Sequence, residues 1–363
     1  MKQLVLLFSI AVTSCLVAGA GYKNVTQYSH RVSDFAFIQC HPSMLTMEVQ
    51  TSRLTIGMTG DILLHHPLYT YSSYEESFRL VSEEMKNIDF LLANQESMPG
   101  GTELGLSGYP LFNSPKHIIR DLQLAGVDML SIANNHTMDR SETGLLNTIK
   151  HMKEYGMPYV GAYESLEDRE MKRIVEIAGV RIGILAYTYG LNGLPVPKGK
   201  EYIVSLLDKV GMEKDIQGIK DEVDVVIVSV HWGEEYSLQP SATQEELAHW
   251  FAEQGVDIVF GHHPHVLQPF TQIENTKIFY SLGNFYSAQQ FDSTFVGGIG
   301  KVQVARHEIA GKRFVEIGEA SFYPTAVLKQ EAKGPFIVAP LQHASSQYDE
   351  QWVERIVGLT LYQ

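Results

Sequence analysis

Five short polar clusters, each directly after an apolar run, hold the residues of this chain that could do chemistry. They read Thr59-Gly60-Asp61, Asn94-Gln95-Glu96, Ala133-Asn134-Asn135-His136, His231-Trp232-Gly233-Glu234 and Gly261-His262-His263-Pro264-His265. Apolar runs ending in Asp, Glu, Asn or His read as strands of one sheet whose edge gathers metal ligands, the place where α/β folds put their sites.

The last cluster carries the most information, with three histidines in four positions. Pro264 biases His263 toward an extended backbone. Extended residues two apart project to one side, so His263 and His265 are expected to grip a single metal centre, with His262 in a supporting place. Imidazole combined with carboxylate and amide oxygen suits Zn, Mn or Fe better than Ca or Mg. His231 ends the most hydrophobic run of the chain and needs a buried partner, either a metal or the carboxylate of Glu234 or Glu235. Asn135 offers an amide oxygen, His136 an acid or an oxyanion donor, and Asp139 a carboxylate that fixes the His136 tautomer. Asp61 is either a turn residue or a carboxylate ligand. Asn94 and Glu96, two apart, face one way if extended. His65 and His66 read as loop residues, Trp232 as packing, and residues 281–285 as a tight turn supporting the site. Tyr236 and the Gly- and Pro-rich loop 189–199 are candidates for substrate contact.

The elements that must position these residues alternate between strand and helix. Strands are expected at 54–58, 88–93, 127–133, 159–160, 180–188, 223–230, 258–260 and 277–281. Helices are expected at 74–86, 116–125, 141–155 and 242–254, several stopped by a glycine. After residue 296 the pattern turns more clearly β, at 300–304 and 314–322. Helices therefore pack on sheet, and the crowding of later strands implies a mixed sheet or two sheets face to face.

Composition bounds the partners. The 363 residues are 44% hydrophobic and 19% charged, which is ordinary for a folded protein. A net charge of −14 argues against nucleic acid, because phosphate contacts need clustered Lys and Arg. It also repels a polyanion at long range, leaving a bound cation as the local attractor. The two cysteines, Cys15 and Cys40, make no disulfide framework and no zinc knot. Residues 1–20 have the charged, apolar and small-residue order of an export signal. Ala18-Gly19-Ala20 fits a cleavage site, and Val12-Thr13-Ser14-Cys15 loosely fits a lipobox that would place a lipid on Cys15. Residues 21–50 read as an extension, 51–325 as the main domain and 326–363 as a tail with weak helical patterning. There is no nucleophile elbow, P-loop or dinucleotide fingerprint.

Gly60-Asp61, Asn94-x-Glu96, Asn134-Asn135-His136-x-x-Asp139, His231-Trp232-Gly233-x-Glu235-Tyr236, Gly261 to His265 and Ser281-Leu282-Gly283-Asn284-Phe285, in that order, resemble the CapA family of capsule-synthesis proteins, associated with poly-γ-glutamate capsules. That family is similar to calcineurin-like metallophosphatases. The resemblance implies a four-layer α/β/β/α sandwich of mixed sheets. It implies Asp61, Glu96, Asn135, His231, His263 and His265 as ligands of one or two divalent ions, Glu96 standing at the bridging position, and His136 as the catalytic histidine. One feature departs: the phosphatase pattern wants Asp-x-His, and here Ile62 and Leu63 follow Asp61. The implied role is making, exporting or anchoring an anionic polymer outside the cytoplasm, at the cell surface or in the periplasm, through a metal-dependent hydrolase or transferase site. Two alternatives stand beside it: a non-catalytic polymer-binding or membrane-synthase accessory, and a metal-assisted peptide epimerase.

Overall fold

The computed structural model describes residues 49–290, 293–309, 311–329, 334–344, 347–359 and 361. The signal-like segment, Cys15 and Cys40 lie outside them. Strands β1 (Val49–Leu63), β2 (Phe90–Gln95), β3 (Met129–Ser131) and β4 (Tyr159–Val160) open a first sheet. The chain then builds a second sheet from β5 (Ile174–Ile177), β6 (Val180–Thr188), β7 (Val225–His231), β8 (Ile258–His262), β9 (Phe270–Ile273) and β10 (Thr276–Phe279). It returns to the first with β11 (Asn284–Ser287), β12 (Val296–Ile309), β13 (Lys312–Lys329) and β14 (Phe336–Pro340).

The orders are β14-β13-β12-β1-β2-β3-β4, with β11 also pairing β1, and β5-β6-β7-β8-β10-β9. Both sheets are mixed. In the first, β1, β2, β3 and β4 run parallel while β12 to β14 are antiparallel. In the second, β6, β7, β8 and β10 run parallel, flanked by antiparallel β5 and β9.

Side-chain alternation decides the layers. Leu54, Ile56 and Met58 of β1 meet Ile182, Ile184, Ile227, Ile258 and Phe260 in a core between the sheets. Val226, Val228 and Val230 of β7 point the other way, onto Met212, Ile216 and Ile219 of α6 (Lys209–Lys220) and onto Leu247 and Phe251 of α7 (Ala242–Gln254). That is why the β7 run reads as continuous Val and Ile: it is buried on both faces. The opposite face of the first sheet is covered by α1 (Glu75–Phe78), α2 (Ser82–Lys86), α3 (His117–Ala125) and α4 (Ser141–Tyr155). The short α5 (Leu166–Glu170) follows β4. The result is the α/β/β/α sandwich the resemblance implied.

Two readings need correction. Residues 74–86 form two short helices, because the chain bends at Arg79–Val81 to bury Phe78 and Val81 in the same core as Met85. The weak pattern after residue 325 conceals sheet: β13 runs on to Lys329, β14 pairs with it, and α8 (Glu350–Val357) drives Val353 and Val357 into the core between the sheets. Among the described residues, no helix is long and apolar enough to cross a membrane.

Candidate metal centre

The carboxyl ends of the parallel strands come to one edge, and register does the assembly. Asp61 pairs with Asn94 on one side and with Asn284 on the other. His231 pairs with His262 across β7 and β8. The pairing slips between Thr59 and Asp61, a bulge centred on Gly60. A Cβ at Gly60 would lie 2.2 Å from the Gly283 carbonyl oxygen, so only glycine lets β1 and the 281–284 turn approach this closely. The Asp61 amide then donates to that same carbonyl at 2.9 Å. At Gly261 a Cβ would meet the Tyr280 oxygen at 2.1 Å, which fixes where the histidine turn begins.

Asp61 is fully buried and surrounded by donors. Its Oδ1 accepts from Asn94 Nδ2 at 2.8 Å and lies 3.1 Å from His262 Nδ1. Its Oδ2 accepts from the His263 amide at 3.3 Å and lies 3.2 Å from His265 Nδ1. Burial favours the neutral acid, but the bonds from His262 and His265 outweigh it and hold the carboxyl well below its usual range. Asn284 uses its Nδ2 to donate to the Thr294 carbonyl at 2.8 Å, so its Oδ1 is the atom 3.1 Å from His265 Nδ1. Both neighbours of that nitrogen are acceptors. The Nδ1 proton is therefore fixed, and Nε2, the nitrogen that gains or loses the second proton, faces Glu96 Oε1 at 3.7 Å.

Glu96 sits at the centre. Oε1 is also 3.5 Å from His231 Nε2, and both carboxylate oxygens are buried without a hydrogen-bond partner. Burial pushes its pKa well up; His265 opposes this, while Asp61 and Glu235 add to it. His231 Nε2 lies 2.9 Å from Asn135 Oδ1, and its Nδ1 and the Nδ1 of His263 are buried and unpartnered. Burial lowers the pKa of both rings, His263 to about 3. Ligand atoms of Glu96, His231 and His263, and again of Asp61, Glu96 and His265, lie within 4.8 Å of one another. Orphaned donor atoms of this kind are costly in a dry interior, and a divalent cation would satisfy them together. The donor set, imidazole with carboxylate, fits a transition metal.

Beside this cluster, His136 Nδ1 is 2.7 Å from Asp139 Oδ2, which also accepts from the Phe112 amide at 2.7 Å. The Phe112 ring stands edge-on to His136, centroids 4.7 Å apart. Asn134 is scaffold: its Oδ1 accepts from the His136 amide and its Nδ2 donates to Gln95.

The six expected ligands and the His136–Asp139 pair thus meet at one edge, but not all by the expected route. His263 is not extended: its φ is +97° and that of His265 is +59°. β8 ends at His262, and a left-handed turn rather than strand pleating brings the two rings within 6.1 Å. The buried partner of His231 is Asn135, not Glu234 or Glu235. Sequence reasoning missed the packing of His65, whose Nδ1 lies 3.2 Å from Ser287 Oγ and whose ring stands edge-on against Phe112. It gave Asn94 no role, though Asn94 anchors Asp61. Tyr189, half-exposed, lies over His263 at 4.7 Å and parallel to His231. Trp232 is buried and donates to the Tyr280 carbonyl, a packing role as expected.

Fold and site together define an α/β sandwich protein with a buried carboxylate–imidazole constellation at the common strand edge. The family model described as "Bacterial capsule synthesis protein PGA_cap" matches residues 55–289, and the chain belongs to that family. The Capsule biosynthesis protein CapA of Bacillus anthracis is 36% identical over 262 residues, which are 68% of this chain and 62% of that protein. The PGA biosynthesis protein CapA of Bacillus subtilis (strain 168) is 32% identical over 237 residues, 64% of this chain and 61% of that protein. Both matches span less than two thirds of the relative. A "Probable polyglutamine synthesis accessory protein" of Mycobacterium tuberculosis is 24% identical over 169 residues, 42% of this chain and 43% of that protein. Among solved structures, a hypothetical protein from Thermus thermophilus aligns with a TM-score of 0.47 at 16% identity, over 75% of this chain and 98% of that one. The NAD nucleotidase of Haemophilus influenzae aligns at 0.43 and 11% identity, over 86% and 58%.

Proposed function

We propose that this protein acts in the synthesis or export of a capsule polymer of the poly-γ-glutamate type, through a metal-dependent hydrolase or transferase site. The single observation that carries the reading is Glu96: a fully buried carboxylate, neither oxygen hydrogen-bonded, facing two imidazoles. Asp61, Glu96, Asn135, His231, His263 and His265 would hold one or two ions of Mn, Zn or Fe. Such an ion, when bound, lowers the pKa of water and polarises a carbonyl or phosphoryl oxygen.

The remaining work falls to the chain. Asp139 takes the Nδ1 proton side of His136 and leaves Nε2 as the nitrogen that gives or accepts a proton. The edge-on Phe112 ring limits how far that imidazole can rotate. Asn284 and Asp61 hold His265 in one tautomer, and Tyr189 shields the outer face of His263. With a net charge of −14, an anionic polymer or peptide would be drawn in only near the cation. The N-terminal signal-like residues support placement outside the cytoplasm, attached to the membrane by the signal or by a lipid on Cys15, near a synthase complex.

The test is a screen of phosphodiester, peptide and polyglutamate substrates with added Mn²⁺ or Zn²⁺, run on the full chain and on His136→Ala. Turnover of one class, lost in the variant while bound metal is kept, supports the proposal. Equal turnover in both would defeat it. The accessory reading has one observation in its favour, the name carried by the Mycobacterium relative. It gains if polymer binds to the protein with no turnover and His136→Ala binds equally well.

A further inference from the structure

The residue two places after Asp61 is Leu63, a buried apolar side chain where the resembling phosphatase pattern has an imidazole. A cation facing Asp61, Glu96 and His265 would thereby have one protein ligand fewer than one facing Glu96, Asn135, His231 and His263. A further carboxylate, exposed to solvent, stands beside the cluster. A ligand oxygen of the exposed Glu235 lies within 4.8 Å of ligand nitrogens of both His263 and His265.

This placement is built into the backbone. After β7 the chain turns through Gly233 at φ +90° and Tyr236 at φ +65°. The Trp232 amide donates to the His262 carbonyl at 3.1 Å, and the Tyr236 amide to the Pro264 carbonyl at 2.8 Å. The Glu235 turn is therefore laced to the turn that carries His263 and His265. A bulky residue in the left-handed region persists only where its surroundings enforce it. In the turn to which the Glu235 turn is laced, His263 Nδ1 is buried and has no hydrogen-bond partner.

We propose that Glu235 is a metal ligand, approaching beside His263 and joining His265 from the solvent side, and supplying the protein ligand that Leu63 does not. This rests on the reading of the cluster as a metal centre. Two cations then bind unequally. The one held wholly by buried side chains is tight. The one that depends on Glu235 is weaker and exchanges with solvent, because one of its ligands is exposed and is readily rehydrated on leaving.

The experiment titrates the chelator-stripped full chain with MnCl₂ by calorimetry, beside Glu235→Gln and the double variant Glu235→Gln with Leu63→His. Thermal melting of each stripped protein checks folding, and the exposed position of Glu235 leaves the single variant's melt unchanged. The wild type is expected to bind in two phases. Glu235→Gln should weaken the second phase by about ten-fold or more, the scale of a lost metal-site interaction, with the first phase unchanged. Recovery of the second phase in the double variant would add support. A single phase in the wild type, or two unaltered phases in Glu235→Gln, overturns the assignment while leaving the metal centre standing. No binding in the wild type overturns both.

Discussion

His136 Nδ1 lies 2.7 Å from Asp139 Oδ2, and both side chains are buried. The residues are three apart in a turn whose other bonds, from Thr137 to Asn134 and from the Asp139 amide to the His136 carbonyl, hold it rigid. Asp139 therefore selects one tautomer of His136 before any substrate arrives. Asp139→Asn would present an amide in its place and scramble that choice. Turnover in whichever assay the substrate screen yields should fall by about 10²- to 10⁴-fold, the usual worth of a positioned proton-transfer group. Metal content measured by mass spectrometry should not change. An undiminished rate would remove His136 from the chemistry.

Gly60→Ala tests how the site is assembled. The new methyl would sit 2.2 Å from the Gly283 oxygen, against backbone that is itself bonded to Asp61. Neither strand can yield without displacing Asp61 or Asn284. Urea unfolding should show a loss of about 3 kcal/mol or more, the size expected when buried backbone is forced apart. A loss within about 0.5 kcal/mol, that of an ordinary surface change, would mean the bulge is not the constraint claimed.

His65, itself outside the ligand set, gives a pH signature of its own. Burial, with the neighbouring His265 charge, lowers its pKa to about 4. The unfolded chain has the ordinary value near 6.5, so the folded state holds fewer protons than the unfolded one below that pH. The contribution of His65 is therefore complete above about 6.5 and is lost as pH falls toward 4. The slope is about 1.4 kcal/mol per pH unit for one such group. His65→Gln should remove about one proton's worth of acid sensitivity between pH 6.5 and 4 in denaturation curves. An unchanged slope would place the imidazole in water.

His265 behaves oppositely in the metal-free protein. Burial alone would lower its pKa, but the Glu96 and Asp61 carboxylates overcome that and raise it to about 9. Its stabilising contribution is full below about 6.5 and disappears as pH rises through 9. A cation must displace that proton, so Mn²⁺ affinity should climb about ten-fold per pH unit between about 7 and 9 and then level. Titration calorimetry in buffers of differing ionisation heat counts the protons released. Affinity flat across that range would contradict the assigned charge state.

Much of this was legible in the amino-acid order, for a physical reason. A strand buried on both faces leaves a plain apolar run, as at Val225–Val230, and the first polar residue after it marks the sheet edge. The polar clusters that hold Asp61, Glu96, Asn135 and His231 were found that way, their places as ligands came from the resemblance, and their convergence follows from parallel register. What the sequence did not disclose depends on turns and on distant partners. The left-handed backbone at His263 and His265 has no local signature, since a proline beside them argues for extension. Asn94 and His65 take their places from side chains far away in sequence, the first from Asp61 and the second from Ser287 and Phe112. The strand at Phe336–Pro340 was hidden because it is short.

The central claim is that Asp61, Glu96, Asn135 and the three histidines His231, His263 and His265 enclose a cation. Plasma mass spectrometry of the full chain, purified anaerobically without chelator or affinity nickel, reads this directly. About one to two equivalents of Zn, Mn or Fe per chain are expected, the capacity of such a donor set, falling to background in the double variant His263→Ala with His265→Ala. Wild-type protein that carries no transition metal, and takes up none when Mn²⁺ or Zn²⁺ is added, would contradict the account.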